Sequence, residues 1–229
     1  MRSVYGKAIW RTLREYGVWQ PGSDVRLGDF GQINEGCFVR EGNISDQVGC
    51  SITTIRTATL DTIFLTSEHG TRLDQEGSAK SVGSVEFSFG KKAGVLVCAE
   101  GISADSVDDL QELGLRISEV PNWKSSYRVV TSVRRCLNFA VFATSSSGGS
   151  LRLAAAPEVL QAFTGGTSKL SSDISITGAG GLRLTGNAGA LSVGVHKHAL
   201  WGDNLKQLEP GEIDPSTEIL VPYITPVED

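Results

Sequence analysis

The residues that could do chemistry in this chain are three histidines, four cysteines and a few clustered acids, and their spacing supports little chemistry. His196-Lys197-His198 sets two imidazoles on one face of a strand, as a pair of metal ligands would be set. No Cys, Asp or Glu follows before Asp203 to complete a site. Cys37, Cys50, Cys98 and Cys136 are scattered, without a CxxC pair. That suits a reducing cytosol better than a disulfide framework, and no local base marks any of them as a nucleophile. There is no GxSxG. The GGTSK of 165–169 lacks the Gly-Lys-Ser/Thr order of a phosphate loop, and the glycines of 178–181 do not form a GxGxxG opening a helix. Asp105, Asp108 and Asp109 crowd an expected helix start, where acids serve the helix dipole. No catalytic residue, metal site or cofactor is assigned, and the chain is expected not to be an enzyme.

The remaining odd cluster is Arg134-Arg135. With a net charge of −5 and bases spread along the chain, nucleic acid is not an expected partner. The arginines interrupt the most regular alternation in the sequence, Arg128 to Thr144. There Val129, Thr131, Val133, Leu137, Phe139, Val141 and Ala143 recur every second residue, broken only by Arg135. A period of two predicts a strand with one apolar face. At about 3.4 Å per residue it would run on the order of 50 Å, whereas a bilayer is crossed by about 9–11 tilted strand residues. The arginine pair is either solvent-facing at a bulge or directed at a pore lumen or acidic lipid.

Around this strand the sequence predicts mixed elements. Residues 4–16 read as a helix with Val4, Ala8, Ile9, Leu13 and Tyr16 on one side. Arg2, Lys7, Arg11 and Arg14 make it basic, opposed only by Glu15. The bases suit anionic lipid headgroups or an acidic partner, or else a solvated outer face. Short strands and turns follow to Asn43. Strands are expected at 51–66, at 81–90 with Val85, Phe87 and Phe89 on one face, and at 93–102, with a polar loop between the first two. A helix is expected from Ser103, with Val107, Leu110, Leu113 or Leu115, and Ile117 as its buried stripe. After the long strand come a flexible link at 145–149, a short strand LRLAA, a short helix beginning at Pro157, and long polar strands between Thr164 and Val195. Residues 202–229 hold seven acids, one base and four of the seven prolines, an extended acidic wrap with apolar anchors such as EILVPYI. No run of about 18 apolar residues marks a membrane helix, and MRSVYGKAIW lacks the apolar core of a secretory signal. The fold class is α+β, a twisted, largely antiparallel sheet with peripheral helices.

The order of segments from residue 80 onward resembles the pore-forming domain of the gasdermins, particularly the short bacterial and fungal ones. The carrying pieces are YRVVTSVRRCLNFAVFAT, GGSLRLAAAPEVLQAFTGG, SDISITGAGGLRLTG and NAGALSVGVHKHALW. SVGSVEFSFG and SADSVDDLQELGL precede them, and the basic first helix fits. The first cysteine is Cys37, so the acylated N-terminal cysteine common in bacterial gasdermins is not carried over.

The resemblance implies a gasdermin N-terminal-like domain over 1–201 and an inhibitory acidic tail over 202–229. It implies a protein that is cytoplasmic when inactive and moves to the inner or plasma membrane when active, assembling there as a homo-oligomeric β-barrel pore that causes cell death in antiphage defence or regulated lysis. Anionic membrane lipids and an activating protease are the implied partners. Arg2, Lys7, Arg11 and Arg14 are the expected lipid-binding residues. Val129, Val133, Leu137, Phe139, Val141, Val85, Phe87 and Phe89 are expected to enter the membrane. Two hairpins are expected, 51–65 with 82–98 and 128–144 with 170–195. The competing readings are a soluble β-rich interaction or structural module and an enzyme of unrecognised kind.

Overall fold

A computed structural model describes residues 1–66, 71–76, 83–89, 93–144, 150–155, 174–177, 181–199 and 219–222. The first helix, α1 (Arg2–Leu13), ends where Arg14 turns left-handed at φ 56° and returns its N–H to the Trp10 carbonyl. Strands β1 (Tyr16–Val18), β2 (Asp29–Asn34) and β3 (Cys37–Asn43) follow. Glu35-Gly36, at φ 52° and 72°, is the two-residue turn joining β2 to β3, and two left-handed residues match the twist of such a hairpin. Asn43 then caps α2 (Ile44–Val48) by accepting the Ser45 N–H. Next come β4 (Thr54–Thr66), β5 (Thr71–Glu76), β6 (Gly83–Phe89), β7 (Gly94–Val107) and α3 (Leu110–Ser118). The chain continues with β8 (Arg128–Thr144), β9 (Ser150–Ala155), β10 (Ile174–Thr177), β11 (Gly181–Ala199) and β12 (Ile219–Pro222).

The strands form two sheets. The larger runs β12-β11-β1-β3-β2-β8-β7-β4, and the smaller runs β10-β9-β6-β5. Among the described pairings, only β1 with β3 is parallel. The fold is therefore α+β with a largely antiparallel sheet and peripheral helices. A further pairing of β11 with β8 closes β11-β1-β3-β2-β8 into a ring. One buried cluster draws on the strands of this ring, with Val18, Phe38, Val130, Val133, Val193 and Val195. From the ring, β4, β7, β8 and β11 continue side by side as a four-strand block.

Several expectations change. The helix predicted from Ser103 starts at Leu110, because residues 102–107 remain in β7, paired to β4 and β8, with Ile102, Ala104 and Val107 buried at or near alternate positions. Asp109 is the helix cap, accepting the Glu112 N–H at 2.8 Å, while Asp105 is a strand residue. The polar stretch expected as a loop contains β5. Of the expected hairpins, 128–144 pairs with β11 as predicted, and 51–65 meets 82–98 only at its end, where Phe64 and Leu65 face Cys98 and Val97; 83–89 pairs instead with β5 and β9. Within the acidic tail, 219–222 is a strand against the C-terminal end of β11. The link at 145–149, the helix expected at Pro157, His69 and the rest of the tail lie outside the described residues.

Candidate membrane-insertion surface

Helix α1 covers one face of the four-strand block. Tyr5 and Ile9 are fully buried in a cluster with Ile63 and Leu65 of β4, Val95, Val97 and Ala99 of β7, and Phe139, Val141 and Ala143 of β8. Burying a side chain of that size contributes about 1.5–3 kcal/mol. Close approach is enforced at Gly6, where an added Cβ would sit 2.7 Å from the Glu35 carbonyl oxygen. The Tyr5 hydroxyl donates to the Leu191 carbonyl at 2.7 Å, and burial pushes the phenol well above its ordinary pKa. Helical spacing puts Lys7 and Arg11 on one stripe, i and i+4, and Arg14 follows as the left-handed residue that ends the helix. Arg14 is exposed, Lys7 and Arg11 are half-buried, and Arg2 falls outside the stripe, five residues before Lys7.

The single apolar face expected for β8 is more complicated. Val129, Val133 and Val141 are fully buried and Phe139 nearly so, but Leu137 is 65% exposed. Cys136 packs in the same cluster as Phe139 and Val141, although it is an odd number of residues away from each. The face changes where the strands are irregular. Gly101 of β7 lies at φ +59°, and a Cβ there would meet Leu137 at 2.6 Å. On the other side the β11 register slips between Ala190, opposite Arg135, and Ser192, opposite Arg134. Beyond the irregularity, Ala140, Phe142 and Thr144 are also buried, so both faces of the upper strand are covered.

The same irregularity separates the two arginines. Arg134 donates to both carboxylate oxygens of Glu15, from Nε at 3.1 Å and Nη2 at 2.8 Å, and both side chains are about one-seventh exposed. The Ser192 hydroxyl donates to the same carboxylate. Arg135 instead donates to the Val25 carbonyl at 2.6 Å. Neither arginine is the solvent-facing residue the sequence allowed. Glu15 was legible only as the single acid against four bases; its partner comes from a residue more than a hundred positions away.

The histidines do not share an environment. His196 Nδ1 lies 2.7 Å from the Thr131 hydroxyl, and burial lowers its pKa. His198 is buried edge-on to Trp123 at 5.9 Å. Among the described residues no three His, Cys, Asp or Glu side chains converge as metal ligands would. Burial pushes the Cys37 thiol up to about 12 and Cys136 up to about 11, and raises Cys98 further. No helix among the described residues is long and apolar enough to cross a membrane, which says nothing of strands.

The two sheets repeat one strand order. Neighbours β4-β7-β8-β11 in the larger are continued in sequence by β5-β6-β9-β10 in the smaller, in the same order. The central pair keeps its register: Gly94 faces Thr144 in the first sheet and Ser88 faces Ser150 in the second, six residues apart on either strand. In the outer pairs the count differs by two. From Thr66 opposite Leu96 to Thr71 opposite Phe89 is five residues against seven. From Thr144 opposite Gly181 to Ser150 opposite Thr177 is six against four. An even difference preserves which face each position takes.

Odd positions of β4, β7 and β8 carry the α1-facing cluster above the irregularity. By register, one face of the second sheet takes Leu73, Val85, Phe87, Phe89, Leu151, Leu153, Ile174 and Ile176, together with Thr71 and Gln75. The opposite face takes Asp74, Glu86, Arg152, Ser175 and Thr177. The expected membrane residues Val85, Phe87 and Phe89 fall on one face of β6, as their alternation predicts. Among the described residues, β4 pairs only with β7, and 181–189 of β11 only with β8, leaving two unpaired edges; at Ala190 the backbone already bonds Gly22 and Ser23.

No family profile and no curated protein matches the chain. Among solved structures it is similar to a bacterial gasdermin from Bradyrhizobium tropiciagri, at 9% sequence identity and a TM-score of 0.37, over 95% of this chain and 90% of that one.

Proposed function

We propose that this chain is a gasdermin-like pore-forming protein, soluble with α1 folded over the four-strand block, whose copies assemble in a membrane as a β-barrel and kill or lyse the cell. The observation that supports this reading is the continuity of strand order and register between the two sheets. Run on as continuous strands, β4 with β5, β6 with β7, β8 with β9 and β10 with β11 would make two long hairpins. Their second-sheet halves would carry an apolar and a polar side, the alternation a membrane barrel needs, whereas in the first-sheet halves Leu96, Ala140 and Phe142 make the opposite face apolar as well. Four strands per copy keep the seam between copies antiparallel, and closure of a ring satisfies every strand edge in lipid. Lys7, Arg11 and Arg14, with Arg2 nearby, would meet anionic headgroups. The acidic tail, held on β11 by β12, would favour the closed state until a protease or a competing partner removes it.

Dye release from anionic liposomes tests the reading, with the full chain and with a chain cut after Trp201. Release at micromolar protein, faster for the cut chain, is expected. Absence of release from both at that concentration would leave a soluble β-rich module as the function.

A further inference from the structure

A cavity of about 310 Å³ opens where the ring meets the four-strand block. Two arginines line it from different parts of the fold, Arg26 in the segment before β2 and Arg135 in the middle of β8. Ser45 of α2 and Thr54 of β4 add hydroxyls, and Asp105 of β7 adds a carboxylate. That acid is already matched by Arg56, whose Nε lies 3.3 Å away. Arg26 makes a loose pair with Asp46 at 3.3 Å, with both side chains about half exposed. Arg135 has no carboxylate within ion-pair distance among the described residues, and its bond to the Val25 carbonyl engages one of five guanidinium donors. Asp105, two residues from Arg135's cross-strand partner Ser103, is drawn to Arg56, so Arg135 lacks a direct ion pair that an entering anion would supply. Its neighbour Arg134 shows the alternative, a bidentate carboxylate.

The geometry points to a binding site for a phosphate group carried on a small organic body. Two guanidiniums and two hydroxyls from four separate elements suit an anion with several acceptor oxygens better than a planar carboxylate. The volume lies at the lower end of the about 300–1,000 Å³ typical of small-molecule sites, more than bare phosphate fills. The phosphate could arrive on a soluble monoester or on a lipid headgroup. Either way it would join Arg26, next to the ring, to Arg135, in a strand of the block. The site stands whether or not the chain forms pores.

Thermal melts of the full chain test it, with inorganic phosphate and glycerol 3-phosphate titrated against sodium chloride at matched ionic strength. A saturable rise in Tm is expected, with glycerol 3-phosphate acting at lower concentration than phosphate. Arg135→Gln should raise the half-saturating concentration at least tenfold, Arg26→Gln several-fold, and Arg135→Lys should retain part of the response. A rise that grows without saturation, or that is the same in Arg135→Gln, is the general salting effect of phosphate and overturns the site. Should Arg135→Gln fail to fold, Arg26→Gln decides by the same criterion. Sedimentation with phosphatidic acid vesicles, compared with phosphatidylcholine vesicles, separates the two sources. Arg135-dependent capture without a response to the soluble esters assigns the phosphate to a headgroup. A response to the esters without capture assigns it to a soluble ligand. No Arg135 dependence in any arm overturns the proposal.

Discussion

Glu15→Ala removes an acid that ties the end of α1 to the four-strand block. Its carboxylate accepts two bonds from Arg134, at 3.1 and 2.8 Å, and one from Ser192. Exposed ion pairs contribute about 0–1 kcal/mol, whereas removing one partner of a buried pair costs about 3–5 kcal/mol. At 14% and 15% exposure this pair lies near the buried limit, so the expected loss is about 2–4 kcal/mol. For a chain of this size that lowers Tm by about 4–16 °C. Urea or thermal unfolding reads it, and a cycle with Arg134→Leu isolates the pair. The expected coupling is about 1.5–3 kcal/mol. If pore assembly requires α1 to leave the block, as proposed, dye release should also accelerate, by tenfold for each 1.4 kcal/mol lost from the closed state. A coupling below about 0.5 kcal/mol would make the pair a bystander. Stability lost without any gain in release would refute α1 as the restraint.

Leu137→Asp should leave Tm within a few degrees, since the side chain is 65% exposed, yet abolish dye release; Val141→Asp, at a fully buried site, should prevent folding altogether, as solubility and circular dichroism would show. His196 has a folded pKa below its unfolded one, so its contribution is present above about pH 6.5 and is lost as pH falls through the folded value. Melts at pH 7 and pH 5 should therefore show a steeper loss for the native chain than for His196→Gln. At pH 8, iodoacetamide should modify Cys50 well before Cys37, Cys98 or Cys136, which are buried with raised pKa values; mass spectrometry reads the order, and early labelling of Cys98 would contradict the closed block. Gly6→Ala should lower stability by about 1–3 kcal/mol, because its Cβ would press on the β2–β3 turn at 2.7 Å, and unfolding in urea measures it.

The elements governed by local pattern were legible in the sequence. β8 runs from Arg128 to Thr144 as its alternation predicts, and Glu35-Gly36 is a turn; the helix expected over 4–16 is present but spans Arg2–Leu13, and Tyr16, expected on its apolar side, begins β1. What was not legible depends on partners distant in sequence. Acidic residues at 105, 108 and 109 look like a helix start, but pairing of β7 to strands on both sides extends it to Val107. Leu137 belongs to the apolar series by number and leaves it in space, because Gly101 and the β11 slip distort the sheet there. The division of labour between Arg134 and Arg135 follows from that distortion, and no local pattern encodes it. The ring closed by β1, β2 and β3 was equally hidden, since three short strands reveal nothing of their neighbours.

The two unpaired edges, β4 and the first half of β11, are different surfaces on opposite sides of the four-strand block. Copies joined edge to edge would therefore grow with a head and a tail, as heterologous contacts do. A growing arc of that kind can be poisoned from one end. A copy whose β4 edge is blocked, for example by a proline facing outward, would still dock through its β11 edge and then accept no further neighbour. Mixed in at a few per cent, it would act as a chain terminator, and the loss of activity would far exceed its share of the protein.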